Sequence, residues 1–296
     1  MKVLVTGANG FLGYYLVSRL LENGYTVIAT GRGGSRLPFS ESKTFIYEEM
    51  DFTKPASASH VFNRFMPEIV IHAGAMSKPD DCELHQDDAY RVNTEGTKIM
   101  LLNAATYNSF FVFISTDFVF DGEKGMYEEN HSMSPVNYYG QTKQMAEEEV
   151  YTYQDNWAIV RTVLVYGKPM AGRSNILTIV KEKLEKGEEY KVVDDQVRTP
   201  TYVEDLASGI AAIVKQKTAG VFHLSGTDIL TPYEMACKTA DCLGLNKSLL
   251  HRVTADSFSQ PAKRPPRTGF IIEKARKMLG YKPVSFEEGL KKTFEL

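Results

Sequence analysis

The sequence predicts an α/β fold: a doubly wound parallel sheet with a smaller α/β region toward its C-terminal end. Three observations predict it. Short aliphatic and β-branched runs alternate with segments of helical spacing along the first half of the 296 residues. The first run, residues 2–5, passes straight into Gly7, Gly10 and Gly13, and then into a helical pattern over 14–21. Beyond Pro169 the alternation loosens, but no linker, repeat or low-complexity tract interrupts it.

Strand, glycine turn, helix is the context that separates a dinucleotide-binding turn from incidental glycines. Gly7 lets the chain reverse out of the strand, Gly10 lets backbone N–H groups approach a pyrophosphate, and Gly13 lets the helix pack on the sheet. The helix N-terminus adds its partial positive charge. Asn9, Phe11 and Leu12 fill the turn and are cofactor-binding candidates with the glycines.

The second strand, 25–29, ends in Thr30-Gly31-Arg32. An acid at this end would bond an adenosine 2′-hydroxyl and repel a 2′-phosphate. The chain offers Arg32 instead, which favours NADP(H), with NAD(H) still usable. After a third strand, 44–47, Asp51 is placed to accept from the adenine amino group, with Phe52 beside it. A helix over 60–65 precedes a strand at 69–72, which ends in Ala73-Gly74-Ala75, small enough for a cofactor to lie close to the backbone. His72, at that strand end, reads as a ring with a satisfied hydrogen bond. A helical pattern over 87–107 contains Asn93, which helix propensity disfavours and which therefore points to a tertiary hydrogen bond; it is also a cofactor-binding candidate.

The strand over 110–114 delivers Ser115-Thr116-Asp117 to its carboxyl end, where ligands bind in an open parallel sheet. A polar loop, 122–135, follows, then a helix opening at Tyr138 and a strand over 158–166. The remainder reads as a helix at 175–186, an extended segment at 194–202, a helix at 204–214, a strand at 220–224 and helices at 232–243 and 286–293. These runs divide the chain into a dinucleotide-binding Rossmann domain over 1–167, with a return strand near 198–225, and a mainly substrate-binding region over 168–296.

Composition narrows the function classes. Charged residues make up 24% and the net charge is −3, which leaves no electrostatic footprint for nucleic acid or an anionic membrane. Cys82, Cys237 and Cys242 lack metal-ligand spacing and read as free thiols in a reducing compartment. No metal cluster is visible. No apolar run reaches membrane-spanning length, and Lys2 leads into a strand rather than a signal peptide, so a soluble cytoplasmic protein is expected.

Tyr139 and Lys143 lie one helical turn apart, which puts them on one face. Tyrosine, with an ordinary pKa near 10, is a poor acid–base catalyst unless a neighbouring ammonium draws that value down. Such a phenol donates its proton to a ketone oxygen as hydride arrives at carbon. Thr116 is placed to orient the same oxygen, and Lys143 to hold the nicotinamide ribose. Tyr138 points off that face and reads as packing.

These residues resemble the extended short-chain dehydrogenase/reductases of the NAD-dependent epimerase/dehydratase superfamily, across essentially the whole chain. The carriers are Thr6-Gly7-x-x-Gly10-x-x-Gly13, Asn93, Thr116 and Tyr139-x-x-x-Lys143. Within that family, Ser115-Thr116-Asp117-Phe118-Val119-Phe120-Asp121-Gly122 is similar to the S-T-D-Y-V-F-D-G of dTDP-4-dehydrorhamnose reductases. The segment from Ser134 to Lys143 resembles their S-P-x-N-x-Y-G-x-T-K, residues 195–201 their D-Q-x-G-x-P-T, and Arg264-Pro265 a late R-P.

The resemblance implies NADPH- or NADH-dependent reduction of a 4-keto group on a nucleotide-activated 6-deoxyhexose, within dTDP-rhamnose biosynthesis. It implies a nucleotide-sugar partner and a tendency to homodimerise. Phe118 stands where 4,6-dehydratases carry a glutamate, which removes the base for dehydration. Arg198 replaces a glycine and resembles the arginine that epimerases place on the diphosphate, an arrangement suited to a guanidinium fork. Arg198 and Asn175 are therefore substrate-binding candidates beside Thr116, and Arg173 and Arg267 are weaker ones. A nucleotide-sugar 4-epimerase with bound NAD and a non-catalytic nucleotide-binding regulatory subunit are the alternatives.

Overall fold

The computed structural model describes residues 1–153, 156–170 and 174–296. The first half runs β1 (Lys2–Thr6), α1 (Phe11–Glu22), β2 (Thr26–Gly31), β3 (Phe45–Glu49), α2 (Pro55–Phe65), β4 (Ile69–His72), α3 (Pro79–Leu84), α4 (Gln86–Tyr90), α5 (Gly96–Thr106), β5 (Phe110–Thr116), α6 (Tyr138–Tyr151) and β6 (Trp157–Thr162). The second half continues with β7 (Val165–Tyr166), α7 (Ile176–Glu185), β8 (Tyr190–Val193), β9 (Thr201–Tyr202), α8 (Val203–Gln216), β10 (Gly220–His223), α9 (Pro232–Leu243), β11 (Leu250–Val253), α10 (Glu273–Leu279) and α11 (Phe286–Phe294).

Seven parallel strands form the central sheet in the order β10-β6-β5-β4-β1-β2-β3. The order reverses between β1 and β4, so the carboxyl ends of those strands open a crevice for a ligand. Strand residues alternate between two cores, as the pleat requires. Val3, Val5, Val27 and Val112 meet Leu16 and Leu20 of α1 and Leu206 and Ile210 of α8 on one face. Leu4, Ile28, Val70 and Phe111 meet Phe62 of α2, Met100 of α5 and Val150 of α6 on the other. Because both faces are covered, these strands read as unbroken apolar runs rather than alternating ones.

The structure departs from the sequence reading in several places, among them the unforeseen helices α3 and α10. The helical pattern over 87–107 is interrupted by a π-helical turn, Arg91–Glu95, that carries Asn93. The run over 158–166 is two strands: Leu164 has a positive φ of 32°, and Val165–Tyr166 leaves the central sheet to pair with β9. The pair β8–β11 is a separate parallel ladder, packed under Val180 and Leu184 of α7 and Ala236 and Ala240 of α9. Among the described residues no helix is long and apolar enough to cross a membrane.

Candidate active site

A cleft of about 1270 Å³ runs across the carboxyl ends of the central strands. At one end lies the glycine turn. Gly7 has φ +67°, and a Cβ there would stand 2.9 Å from Gly74 Cα, so β1 and β4 approach at a distance only glycine permits. A Cβ on Gly13 would stand 2.3 Å from Gly7 O, which explains the third glycine. Gly10 caps α1 without a side-chain bond, and Gly10 to Gly13 line the cleft, leaving first-turn amides for an anion. Ala73, Gly74 and Ala75 face this turn, together with Phe52 and Asp51, whose carboxylate is turned onto the Thr53 amide and hydroxyl. This cradle fits a dinucleotide.

Thr6 fixes the floor. Its hydroxyl accepts from the amides of Ala73 and Gly74 at 3.1 and 3.0 Å, so its own hydrogen goes to His72 Nδ1 at 2.8 Å. Burial pushes the His72 pKa down to about 3. The ring stays neutral among Phe52, Phe111 and Phe113.

Beyond β2, where an adenosine ribose is expected, Arg32 lines the cleft, and so does Arg36, which sequence reasoning does not single out. The loop between them is clamped. Asn9 donates to Gly34 O (3.0 Å) and to the Tyr47 hydroxyl (2.8 Å), and its Oδ1 accepts from the Arg36 amide at 2.8 Å. The Tyr47 hydroxyl donates in turn to Gly33 O at 2.7 Å. Asn9, expected as a cofactor contact, spends its amide holding this basic loop in place. A second arginine four residues after the first was the signal available in the sequence.

Toward the middle of the cleft, β5 ends in Thr116, and α6 brings Tyr139 and Lys143 against it. Asn137 caps α6 by accepting from the Gly140 amide at 2.8 Å, which places Tyr139 in the first turn. The Phe118 ring lies edge-on to Tyr139 at 5.8 Å. Lys143 is buried, with Nζ donating to Ile114 O at 2.8 Å and standing 3.8 Å over the Phe113 ring. The expectation that Lys143 draws the tyrosine pKa down is corrected here. Burial pushes the Tyr139 phenol well above its ordinary range, with only the Thr116 hydroxyl opposing, while burial lowers Lys143 to about 7. Desolvation dominates for both groups because both are inside.

Asn93 does not line the cleft, correcting its expected cofactor role. Its Oδ1 accepts from the Met76 amide at 2.8 Å, and its Nδ2 donates to Met76 O and to Thr142 Oγ1, each at 3.0 Å. It ties the loop after β4 to α6 beside Lys143.

The substrate end also differs from expectation. Arg198 lines the cleft but is only 3% exposed. Its guanidinium donates to Val197 O (2.8 Å) and Pro265 O (2.8 Å), and Nε stands 3.9 Å from the Asp117 carboxylate. Burial pushes the Asp117 carboxyl upward despite that guanidinium; Thr268 donates to the same carboxylate oxygen and the Thr116 hydroxyl to the other. Arg198 is thus a buried strut rather than a free fork.

Asn175 caps α7 through its Oδ1 and donates to Gly167 O at 2.6 Å, so its amide is used locally. Arg267 is exposed and joins the structure through its backbone. Arg173 lies outside the described residues. Arg264, in the late Arg-Pro pair, lines the cleft and forms a two-pronged ion pair with Asp80 of α3, both contacts at 2.6 Å. Among the described residues no group of His, Cys, Asp and Glu is arranged to hold a metal ion.

Residues 1–296 match the family described as RmlD substrate binding domain. Spore coat polysaccharide biosynthesis protein SpsK of Bacillus subtilis (strain 168) is 31% identical over 291 residues, 98% of this chain and 95% of the relative. Methionine adenosyltransferase 2 subunit beta of Bos taurus is 30% identical over 270 residues, 89% of this chain and 78% of the relative. Among solved structures, the dTDP-4-dehydrorhamnose reductase of Bacillus anthracis str. Ames in complex with NADP aligns with a TM-score of 0.84 at 28% identity, covering 99% of this chain and 98% of that one.

Proposed function

The chain belongs to the RmlD substrate binding domain family, and from that membership and the geometry of its cleft we propose that it is an NADP(H)-dependent reductase of a 4-keto, nucleotide-activated 6-deoxy sugar. The observation that carries the proposal is the meeting of Thr116, Tyr139 and Lys143 at the end of β5, in one cleft with the glycine turn. The nicotinamide supplies the hydride when bound. Tyr139, kept neutral by burial, arrives with its proton in place and is the donor to the keto oxygen. Thr116 orients that oxygen. Lys143 holds the ribose hydroxyls, and its ammonium stabilises the phenolate once the proton has left. Arg32 and Arg36 favour a 2′-phosphate, while NAD(H) still fits the glycine turn. A homodimer is the assembly the resemblance implies.

The test is NADPH oxidation with a dTDP-4-keto-6-deoxyhexose. Turnover by the wild type and a loss of at least about two orders of magnitude in Tyr139→Phe are expected, the scale of a missing general acid. Equal rates would remove Tyr139 from the chemistry. The commitment of Arg198 to backbone carbonyls weighs against the epimerase alternative. An epimerase would also purify with its cofactor bound, whereas a reductase must exchange it.

The similarity to an adenosyltransferase beta subunit favours a second reading, a nucleotide-binding subunit without turnover. NADPH binding with no oxidation across a panel of keto-sugars, together with a co-purifying partner, would select it.

A further inference from the structure

Helix α6 presents Tyr139, Lys143 and Glu147 at four-residue intervals, along the side turned to the sheet. The first two reach the cleft; Glu147 does not. Its side chain is 0% exposed, and its partner Arg161 on β6 is 1% exposed. Arg161 Nε stands 3.0 Å from Glu147 Oε1, and Nη2 stands 2.6 Å from Oε2. Ser115 Oγ donates to Glu147 Oε1 at 2.5 Å, one residue along β5 from the Ile114 carbonyl that receives Lys143. Two adjacent β5 residues and one β6 residue therefore grip successive turns of one helix.

Stability does not explain this network, since a buried ion pair is often no better than an apolar pair of the same volume. What it supplies is register: a one-residue slip of α6 would break every contact together. We propose that Ser115, Glu147 and Arg161 are positioning residues that fix the height and rotation of α6 against β5, and that Glu147 is the counter-charge holding the Lys143 ammonium beside Thr116. The proposal rests on the role given above to Lys143.

The groups facing Lys143 are few. His72 comes from β4 and Cys82 from α3; burial keeps the first neutral and pushes the second up to about 11. The Ile114 carbonyl and the Phe113 ring come from β5. Among these neighbours, Glu147 on α6, paired with Arg161, acts on Lys143 as the opposing charge.

The test follows the Lys143 Cε resonance by NMR in protein labelled with ¹³C-lysine, assigned by its loss in Lys143→Met. The wild-type midpoint is expected near 7. In Glu147→Gln it should fall by at least about one pH unit, the effect of removing a nearby opposite charge. The double variant Glu147→Gln/Arg161→Met replaces the ion pair as a unit, and so carries the test even if the single variant fails to fold. Its midpoint should stay low. The rate at pH 7 should drop at least about fivefold, following the lost protonated fraction, with KM little changed. A wild-type midpoint in a stably folded double variant would overturn the proposal and leave the network a purely structural tie. Because the resonance is read without substrate, a shifted midpoint in a protein inert toward keto-sugars would support the positioning role while the reductase reading fails.

Discussion

Lys143 and His72 are both buried and both held below their ordinary pKa values, so each links the cleft to pH. Below about 7, Lys143 carries its proton in the folded and unfolded chain alike, and the desolvation penalty is fully present. Between about 7 and the ordinary lysine value of 10.5, the unfolded chain keeps a proton that the folded chain has released, so this group's contribution to stability improves as pH rises. Lys143→Met is therefore expected to melt several degrees above the wild type at pH 6, with the gap closing by pH 10, as thermal unfolding at the two pH values would show. His72 adds acid sensitivity, because stability is lost as pH falls from 6.5 toward about 3. The two arginines at the adenosine end give a separate prediction. Arg32→Ala with Arg36→Ala should weaken NADPH about tenfold or more in fluorescence titrations and leave NADH nearly unchanged, because only the 2′-phosphate loses its charge-assisted bonds.

The element that decides the site is α6, and its first turn has no spare room. A Cβ on Gly140 would stand 2.1 Å from Phe118 O and 2.8 Å from Pro135 Cβ. Glycine to alanine within a helix ordinarily stabilises by about 1 kcal/mol, but here the clash with fixed backbone reverses the sign. Gly140→Ala is expected to lose at least about 2 kcal/mol in denaturant unfolding and to lower turnover, since Tyr139 moves with the turn.

Much of this scale was legible beforehand. The glycine turn, the strand delivering Thr116 and the Tyr139–Lys143 face follow from local pattern. The β8–β11 ladder was not, because four-residue strands some sixty positions apart leave no periodic signal. Nor was the buried commitment of Arg198 and Asn175, which depends on carbonyls brought close only by the fold. Nor was the role of Glu147: nothing local marks which glutamate of α6 meets an arginine from the next strand.

At the scale of the molecule, one apolar core joins residues from both halves of the chain: Val3 and Val112 share it with Ile210, Phe222, Phe270 and Tyr281. The cluster around β8 and β11 is separate and smaller. Thermal unfolding is expected to be a single transition by circular dichroism and tryptophan fluorescence. Native-state hydrogen exchange should nonetheless open Val192 and Arg252 well before Leu4, Val70 and Val112, because local opening follows the less extensively packed unit.

The position of β10 bears on how the chain is made. The strand that closes the sheet beside β6 is Gly220–His223, and α7 and α8 are both synthesised before it. As the N-terminal part leaves the ribosome and folds, the outer edge of β6 over Ala158–Arg161, opposite the edge that pairs with β5, stays unpaired until β10 emerges. Such an open edge is a template for strands of neighbouring nascent chains, and a product broken off before Gly220 would keep it open for good. Ribosome stalling or cleavage between β9 and β10 should therefore yield aggregates rather than a soluble half-protein, and supplying the missing strand in trans is the direct way to rescue them.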